Sequence, residues 1–560
     1  MKFEYVGKQL VEWTWKTKET AKILTWMELP DDYEKGSCKY MLEWDQYVQI
    51  HKAYSREEDE EVEWLPDSLV TFINDWKLAI ITPDMIKAKV GDEFWNKLKS
   101  YQKEGVLFTL ARIAGAFIGD EMGVGKTLQG ICVMKYYGGT SLVISTSTGG
   151  RNWKEEWIRF TDSPLDSVLL VLHKTDFDKY DAQKHKVLVI SYALTRICGE
   201  ELMKIPFETI VIDESHRVMN EKAAQTKVIH GICDRTPHKV LLSGTPINAT
   251  QELWSQMRCI YPALYPLFFD ASNTEPNFAW RYCKPVKKYI GRGRTIWETK
   301  GAKNTTELHQ LIKEFVMIRR LSEDVNPELP ILHRKRVGIV LPEETLAEFK
   351  REMKSIDDKK ETKDGEAKGD FNKLWMATSE AKLPLMLEYI RDYITSEEFK
   401  VTPTLFFGFH YIVLDSLRDL LDHYKQQYIR IDGQTPSKDR GLLCTKFQTS
   451  DTINAAILNI VAAGESVNFT RGKKMIFLEY HPNPNWLLQC EKRIHRPGQK
   501  SEVYIEYLHT KGTFDDRMWN ILQYKIRNAS LVIDGRVRPM HALYCTLPPP
   551  DTGKRMDAGE

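Results

Sequence analysis

Short apolar runs alternate with longer amphipathic stretches between about residues 96 and 250. The runs are SLVIS at 141–145, KVLVIS at 186–191, ETIVID at 208–213 and HKVLLSG at 238–244. Nearly continuous apolar runs of this length are typical of strands buried on both faces of a parallel sheet, and the stretches between them are long enough for crossover helices. The pattern predicts a first α/β lobe over this part of the chain.

A second alternation of apolar runs and amphipathic stretches follows after about residue 380. Its runs are TPTLFFGF at 402–409, YIRIDG at 428–433, INAAILNIV at 453–461 and KMIFLEY at 474–480. Because strands that alternate with helical patterns indicate βαβ units, this part predicts a second parallel sheet flanked by helices. The predicted fold class is therefore α/β, with two lobes of parallel sheet at 96–250 and 381–535.

The segments outside the two lobes are less regular. Residues 251–380 show a largely helical pattern, and within them the stretch at 352–370, EMKSIDDKKETKDGEAKGD, is nearly free of apolar residues. Such a composition buries little apolar surface, so we expect a helical insertion followed by an exposed linker or mobile stretch. The tail at 536–560 contains an LPPP stretch and a polar end, and we expect it to be frayed.

The first 95 residues are interpreted as a small, separate N-terminal accessory domain. They hold seven of the 15 tryptophans, and an acidic run, REEDEEVE, interrupts them at 56–63. Tryptophans spaced in this way are more often core residues than a platform for a ligand. We expect this domain to be the surface for any protein partner.

Charge and composition narrow the function classes. The 560 residues include 79 Lys and Arg against 78 Asp and Glu, a net charge of +1, so any nucleic-acid binding requires a local groove.

No apolar run is long enough to cross a bilayer, and the N-terminus lacks the apolar core of a secretory signal. We expect an intracellular protein without a membrane partner, in the cytoplasm or nucleoid of a bacterial or viral source or in the nucleus of a eukaryotic one. The nine cysteines form no C-x-x-C pair, which disfavours a zinc site.

A glycine-rich loop, GDEMGVGKT at 119–127, precedes an apolar helical pattern. Gly123 and Gly125 allow backbone N–H groups to wrap a phosphate. Lys126 can reach the β and γ oxygens, and Thr127 can ligate Mg²⁺. A strict G-x-x-x-x-G-K-T motif is not present, because Asp120 stands at the first glycine position. An ordinary glycine turn before a helix is the alternative, and the loop alone does not decide between the two.

Two carboxylates, Asp213 and Glu214, end the apolar run in TIVIDESH at 209–216. Ligands of an open α/β sheet gather at the carboxyl ends of its strands, where this pair would lie beside the glycine loop. Asp213 would hold Mg²⁺ through water, and Glu214 would orient and deprotonate the water that attacks a γ-phosphate. Capping of a helix is the alternative, and the glycine loop upstream makes it the minor one.

Two further stretches suit a nucleotide site. LLSGTPIN at 241–248 places the hydroxyls of Ser243 and Thr245 after an apolar run, where they can sense the carboxylates and relay the nucleotide state. Gln102 precedes the loop lysine by 24 residues, and its amide offers the donor and acceptor that match the edge of adenine. A glutamine in a helix is weak evidence by itself.

The stretch QCEKRIHRPGQK at 489–500 concentrates positive charge in a nearly neutral chain. Arg493 and Arg496 are spaced i, i+3, which would place them on one helical face where they could grip one anion together. Pro497 disfavours helix at the preceding residue, so a helix that carries Arg493 is expected to end there. A solvated basic patch is the alternative.

In the order in which they occur, these motifs resemble those of the Swi/Snf-type (sucrose-non-fermenting) DNA translocases of helicase superfamily two. The resemblance covers about 98–525 and includes YQKEG, GDEMGVGKT, VISTSTGGRNWKEEW, DESH, LSGTPIN, TLFFGFH, IDGQT with Arg440, and QCEKRIHRPGQ. Residues 281–330 look like the annealing-helicase branch. The resemblance implies two RecA-like lobes, ATP and Mg²⁺ as cofactors, and an ATP-dependent translocase that remodels or anneals DNA or displaces bound proteins.

The resemblance also implies roles for matching residues. Those implied in ATP binding are Gln102, Asp120, Glu121, Met122, Gly123, Val124, Gly125, Lys126, Thr127 and Leu128. Those implied in catalysis are Lys126, Asp213, Glu214, Arg493 and Arg496, with Thr127 and Asp213 as Mg²⁺ ligands. Those implied in coupling are His216, Ser243, Thr245 and Gln489. DNA phosphates are expected at Thr146, Ser147, Ser191, Tyr192, Gly408, His410, Gly433, Gly464 and Ser466. Ser466 and Pro497 depart from the family pattern, which usually has glycine and an aliphatic residue there.

Two other functions stay open at the level of sequence. The first is a strand-separating DNA or RNA helicase on the same two lobes, although no wedge hairpin is recognisable in the sequence. The second is a nucleotide-gated DNA clamp without translocation, which the presence of all hydrolytic residue types disfavours. We expect a monomer.

Overall fold

The computed structural model describes residues 2–8, 10–15, 38–55, 62–270, 277–289, 294–360, 367–462 and 468–546. The chain divides into two compact units. The first unit comprises Met1–Lys287, Trp297–Val325 and Arg527–Arg538. The second comprises Lys288–Ile296, Asn326–Ile526 and Pro539–Glu560. The predicted domain limits stay a prediction.

The N-terminal part of the first unit, over its described residues, contains a small antiparallel sheet and two helices. Its elements are β1 (Lys2–Gly7), β2 (Leu10–Trp15), β3 (Cys38–Glu43), α1 (Trp44–Tyr54) and α2 (Asp67–Asp75). Trp44 and Trp95 are buried, which agrees with a core role. Trp26 and residues 56–61 of the acidic run lie outside the described residues, and the side chains of Trp13 and Trp15 are also not described.

The main sheet of the first unit has seven parallel strands in the order β12-β4-β9-β8-β5-β7-β6. In order along the chain, the first six strands of this sheet are β4 (Gly115–Ile118), β5 (Ser141–Ser145), β6 (Val168–Val171), β7 (Val187–Ser191), β8 (Thr209–Asp213) and β9 (His238–Leu242). A two-stranded sheet of β10 (Val286–Tyr289) and β11 (Thr295–Glu298) follows, and then β12 (Met317–Ile318). Leu142 and Ile144 of β5 pack in one core cluster and Val143 in another, so both faces of the sheet are covered.

The helices of the first unit connect these strands. They are α3 (Pro83–Val90), α4 (Asp92–Lys97), α5 (Ser100–Ala111), α6 (Lys126–Tyr137), α7 (Gly149–Thr161), α8 (Tyr192–Ile197), α9 (Gly199–Leu202), α10 (Ala224–Cys233), α11 (Gln251–Ile260), α12 (Phe278–Tyr282), α13 (Thr305–Leu311) and α14 (Ser322–Val325). Single 3₁₀ turns lie at Leu165–Ser167, Lys174–Lys179 and Ser215–Val218, and a π turn lies at Ile312–Val316.

The N-terminal segment is docked on the insertion rather than separate from it. Arg281 and Glu307 form an ion pair whose side chains are both 0% exposed, and Arg281 also donates to the carbonyl of Phe3 at 2.6 Å. Glu307 accepts from the backbone N–H of Tyr5 at 3.1 Å. Because a buried charge requires a partner and satisfied hydrogen bonds, strand β1 completes a network that the insertion cannot satisfy alone.

The second unit is also built on seven parallel strands, in the order β15-β16-β14-β17-β18-β13-β19. They are β13 (Leu332–Ile339), β14 (Thr404–Gly408), β15 (Tyr428–Ile431), β16 (Ala455–Asn459), β17 (Lys474–Phe477), β18 (Val503–Thr510) and β19 (Leu543–Thr546). Its helices are α15 (Glu343–Lys360), α16 (Ala367–Ile394), α17 (Glu397–Val401), α18 (Tyr411–His423), α19 (Ser437–Thr449), α20 (Pro484–Ile494) and α21 (Phe514–Ile533). The prediction of two parallel-sheet lobes flanked by helices is confirmed.

Two local expectations differ from the structure in part. The stretch at 352–370, expected to be an exposed linker or mobile stretch, is helical up to Lys360 in α15 and again from Ala367 in α16, and residues 361–366 lie outside the described residues. Its Glu, Lys and Ala residues have high intrinsic helix propensity, which does not depend on an apolar face. Within the tail, expected to be frayed, Leu543–Thr546 forms β19, whose backbone pairs with β13, and residues 547–560 lie outside the described residues.

Candidate nucleotide site

The glycine loop lies between β4 and α6. Gly123 and Gly125 have φ values of +83° and +82°, a left-handed conformation that glycine adopts without steric cost. A Cβ added at Gly125 would lie 2.4 Å from Nε2 of Gln102, so a larger residue would collide there. The loop therefore leads directly into the N-terminus of a 12-residue helix, where backbone N–H groups favour an anion.

Lys126 is the first residue of that helix, and its ammonium points back into the loop. Nζ donates to the carbonyls of Asp120 at 2.9 Å and Glu121 at 3.2 Å. Burial lowers the pKa of Lys126, whereas the carboxylates of Glu214, Asp120 and Asp213 oppose the change. The lysine thus lies close enough to both motif carboxylates to interact with their charges.

Asp213 ends β8 and is held by hydrogen bonds from two directions. Its Oδ2 accepts from the hydroxyl of Ser145 and from the indole N–H of Trp153, each at 2.8 Å. Burial and the charge of Glu214 raise the pKa of Asp213, and the two hydrogen bonds lower it. The side chain is therefore fixed in direction and favours a nearby cation.

Glu214 has an unusual backbone. Its φ of +54° is left-handed, which is uncommon for a residue other than glycine. The hydroxyl of Tyr192 donates to the carbonyls of Asp213 at 2.6 Å and Glu214 at 3.2 Å, and it holds this turn. Among the described residues, Oε2 of Glu214 is buried without a hydrogen-bond partner. An unpartnered carboxylate oxygen of this kind is suited to accept a hydrogen bond from water or to face a metal.

The donor set suits Mg²⁺. Thr127, Asp213 and Glu214 offer hard oxygen ligands, which Mg²⁺ prefers. In the described part of the chain, no group of three or more His, Cys, Asp or Glu side chains could hold a metal alone. A magnesium ion here would therefore rely on nucleotide phosphates and water for further ligands, which is its usual mode in ATP-dependent enzymes.

The DESH and LSGTP motifs contact each other. Nδ1 of His216 and Oγ of Ser243 are 3.0 Å apart, and the backbone N–H of Thr245 donates to Oγ of Ser243 at 3.2 Å. Burial lowers the pKa of His216 to about 4, and the charge of Arg217 adds to the decrease. A neutral histidine at pH 7 thus links the turn after β8 to the turn after β9.

Two predicted ATP-binding residues have other partners in the structure. Gln102 donates from Nε2 to the carbonyls of Val124 and Gly125, both at 3.2 Å, and accepts from the backbone N–H of Lys99 at 2.9 Å. Its adenine contact stays a prediction. The carboxylate of Asp120 is 0% exposed and accepts from Arg320 and Gln129, so this side chain supports the loop from within, and the role of Asp120 in ATP binding stays a prediction.

Sequence reasoning missed several residues that support this site. Arg320 donates from Nε to Oδ1 of Asp120 at 2.8 Å, and the neighbouring Arg319 donates to the carbonyl of Gly119 at 2.6 Å. The available signal was a pair of arginines directly after the short apolar run VMI at 316–318, because such a pair would lie at the carboxyl end of a strand. Trp153 lies in the quoted stretch VISTSTGGRNWKEEW, but nothing in the spacing indicated its contact with Asp213.

In the second unit, helix α20 ends at Ile494, with His495 as its C-terminal cap. The predicted end before Pro497 is confirmed. The expectation that Arg493 and Arg496 share one helical face is wrong, because Arg496 lies beyond the helix. Oε1 and Oε2 of Glu491 accept from Arg334 at 2.9 and 2.7 Å, and the hydroxyl of Tyr507 donates to Oε1 at 2.7 Å. The helix is thus anchored two residues before Arg493.

The predicted DNA contacts in the first unit differ in exposure. Ser147 is exposed, whereas Thr146 is 6% exposed and its hydroxyl accepts from the backbone N–H of Gly149 at 3.0 Å. Ser191 caps α8 by accepting from Leu194 N–H. Tyr192 is 3% exposed and its hydroxyl is engaged by the turn after β8, so its contact with DNA stays a prediction.

The predicted contacts in the second unit cluster after β14 and β15. Gly408 is buried and Gly433 is exposed, while Gly464 and Ser466 lie outside the described residues. Nδ1 of His410 is hydrogen-bonded to Glu479, whose other oxygen accepts from the backbone N–H of His410 at 3.0 Å. Burial raises the pKa of Glu479, but the hydrogen bonds from His410 and Ser379 outweigh it and leave the pKa below its ordinary value.

Comparison with known protein families finds two matching models. Residues 8–382 match the model of the SNF2-related domain, and residues 386–498 match the helicase conserved C-terminal domain. The chain belongs to the SNF2-related family. This membership confirms the resemblance inferred from the ordered motifs. No helix among the described residues combines the length and apolar character that a membrane span needs.

Curated relatives cover most of the chain. A SWI/SNF-related matrix-associated actin-dependent regulator of chromatin subfamily A-like protein 1 homolog of Caenorhabditis elegans is 33% identical over 479 residues, which are 83% of this chain and 66% of that protein. The mouse DNA annealing helicase and endonuclease ZRANB3 is 31% identical over 80% of this chain and 42% of its own length. The chain therefore spans about two fifths to two thirds of the length of these relatives.

One solved structure among the matches is the Sulfolobus solfataricus SWI2/SNF2 ATPase core in complex with dsDNA. It has a TM-score of 0.37 and 22% sequence identity, and the match covers 78% of this chain and 92% of that one.

Proposed function

We propose that this chain is a DNA-dependent ATPase that uses ATP hydrolysis to move on duplex or branched DNA. The observation that carries the proposal is the grouping of Lys126, Asp213 and Glu214 after β4 and β8 of an SNF2-related domain. The Ser243–His216 contact links a third loop of the same sheet edge to this group. In a parallel sheet, this edge is where nucleotides bind.

The first steps are binding and charge neutralisation. The glycine loop and the N-terminus of α6 cradle the phosphates, and Lys126 exchanges its carbonyl partners for β and γ oxygens. Thr127 and Asp213 would hold Mg²⁺, which when bound offsets phosphate charge and fixes the nucleotide. Trp153 and Ser145 keep the carboxylate of Asp213 oriented for that task.

Glu214 is the proposed base. Its unpartnered Oε2 accepts a proton from the attacking water, the new bond forms between the water oxygen and the γ-phosphorus, and the bond to the β–γ bridging oxygen breaks. ADP and phosphate are the products. Nδ1 of His216, neutral at pH 7, lies 3.4 Å from this oxygen. Through its contact with Ser243, which in turn binds Thr245, it transmits the change in the charge of Glu214 to the turn after β9.

Arg493 and Arg496 are proposed, from the family resemblance, to stabilise charge on the γ-phosphate. Of the two, Arg493 is better supported, because the ion pair between the buried Glu491 and Arg334 fixes the helix that carries it. An arginine of this type contributes about 10³-fold or more to the rate of phosphoryl transfer.

DNA is the proposed partner, and remodelling or annealing of DNA structures is the proposed outcome. One relative is named a DNA annealing helicase and endonuclease. The exposed Ser147 and Gly433 are the predicted positions best suited to contact phosphates, because contacts of this kind position a strand without reading its bases.

ATP turnover of the purified chain with no DNA and with single-stranded, duplex and forked DNA tests the proposal. We expect stimulation by duplex or forked DNA, together with ATP-dependent displacement of a third strand from a triplex. Turnover that DNA does not change would contradict a DNA-dependent ATPase. Unwinding of a forked duplex without triplex displacement would indicate a strand-separating helicase, and ATP-dependent binding without turnover would indicate a clamp.

A further inference from the structure

The segment Arg527–Arg538 belongs to the first unit, although it begins within α21 (Phe514–Ile533), whose earlier residues belong to the second unit. Asp534 in this segment accepts at Oδ1 from Nε of Arg319, at 2.5 Å. The two side chains are 9% and 15% exposed. The pair joins residues 215 positions apart, and it is largely shielded from water, so loss of either side chain would leave a poorly solvated charge on the other.

Packing and a hydrogen bond fix the position of the segment Arg527–Arg538. Val532 is 0% exposed and packs in the same apolar cluster as Phe315. Its carbonyl lies 3.1 Å from Nδ1 of His309, which donates to it. Gly535 has a φ of +66°, and a Cβ at this position would lie 2.5 Å from Nε2 of His309. Asp534 is therefore held between two residues whose positions the packing fixes.

A second nitrogen of the Arg319 guanidinium contacts the backbone of the nucleotide site. Nη1 donates to the carbonyl of Gly119 at 2.6 Å and to the carbonyl of Gly244 at 3.3 Å. Gly119 begins the glycine loop, and Gly244 lies in the SGT turn after β9. Both stretches lie beside Lys126. This lysine follows Gly119 in the same loop, and a Cβ added at Gly244 would lie 3.4 Å from Nζ of Lys126.

We propose that Arg319 and Asp534 are positioning residues of the nucleotide site, so that the C-terminal segment takes part in ATP binding. Asp534 orients and neutralises the guanidinium, and the guanidinium fixes the carbonyls of Gly119 and Gly244. The loop is then held in the shape that receives the phosphates. This inference rests on the proposed function, since it concerns how the same site holds ATP.

The test compares Arg319→Gln, Arg319→Lys and Asp534→Asn in the full chain, with steady-state ATP turnover and calorimetric binding of a non-hydrolysable ATP analogue. Losing a charge-assisted hydrogen bond to the loop should raise the KM for ATP and the analogue Kd about tenfold in Arg319→Gln, with a smaller change in kcat. Asp534→Asn should give a smaller increase. The double variant should be no worse than Arg319→Gln, because both changes act through one guanidinium.

Arg258→Gln is the matched control. Arg258 and Asp234 form a two-bond ion pair in the same unit, at 3.0 and 3.1 Å, away from the loop carbonyls. The inference is overturned if Arg319→Gln and Asp534→Asn keep the wild-type KM within twofold, or if Arg258→Gln raises it equally. If Arg319→Gln does not fold, Arg319→Lys and Asp534→Asn decide by the same criteria. A wild-type chain that neither binds nor hydrolyses ATP refutes the proposed function instead.

Discussion

The indole N–H of Trp153 donates to Oδ2 of Asp213 at 2.8 Å. Trp153 is 2% exposed, so water could not easily take the place of the indole N–H if this donor were removed. A hydrogen bond to a charged group contributes about 1.5–3 kcal/mol, and this one favours the ionised form of a carboxylate whose pKa burial raises. The contact thus connects a core tryptophan of α7 to the proposed metal ligand.

We predict that Trp153→Phe lowers kcat/KM for ATP about tenfold or more. The loss of the donor raises the pKa of Asp213 further, so the acid limb of the pH–rate profile moves to higher pH. Trp157→Phe is the control, because Trp157 lies one turn further along the same helix, is also buried, and its indole N–H has no hydrogen-bond partner among the described residues. Equal effects of the two substitutions would assign the loss to packing.

Glu214→Gln is expected to keep ATP binding while lowering turnover by about 10²–10⁴, the usual contribution of a general base. The amide cannot take the proton of the attacking water, but it is close in size to the carboxylate. Lys126→Ala should instead weaken nucleotide binding itself. Analogue binding measured beside single-turnover hydrolysis separates the two cases, and wild-type hydrolysis in Glu214→Gln would remove its proposed role.

Arg493→Ala should leave ATP binding intact and lower turnover about 10³-fold if the proposed role is correct. Arg418→Ala is a suitable control, since Arg418 is an exposed arginine of the second unit that pairs with Asp419 on the surface. Unchanged DNA-stimulated turnover in purified Arg493→Ala would end the assignment.

The strand-end positions of Lys126, Asp213 and Ser243 could be predicted from sequence, because apolar runs locate buried strands and parallel sheets bind ligands at one edge. The contact between Arg319 and Asp534 could not, because it joins positions 215 residues apart and neither residue lies in a recognisable motif. The predicted common helical face of Arg493 and Arg496 was wrong for a local reason. The helix ends at Ile494, so helical spacing does not apply to Arg496.

Arg334→Gln is expected to destabilise the second unit by about 1.5–3 kcal/mol, the usual contribution of hydrogen bonds to a charged group. Arg334 is 24% exposed but Glu491 is 0% exposed, and the carboxylate would keep the hydrogen bond from the hydroxyl of Tyr507, so its charge would be poorly compensated. Thermal unfolding followed by circular dichroism measures the effect. Arg418→Gln, which breaks an exposed pair, should change stability by about 1 kcal/mol or less.

The buried histidine His216 predicts a pH dependence of folding stability. Its pKa is lowered to about 4 in the folded protein by burial and by Arg217, against about 6.5 when unfolded. Between these values the unfolded chain binds the extra proton, so stability rises with pH and is complete above about 6.5. His216→Asn should reduce the slope of unfolding free energy against pH by up to about 1.4 kcal/mol per pH unit in this window. Urea unfolding at pH 4.5, 5.5 and 7 measures the slope. An unchanged slope in His216→Asn would show that this histidine titrates alike in both states and is not held neutral between the two loops.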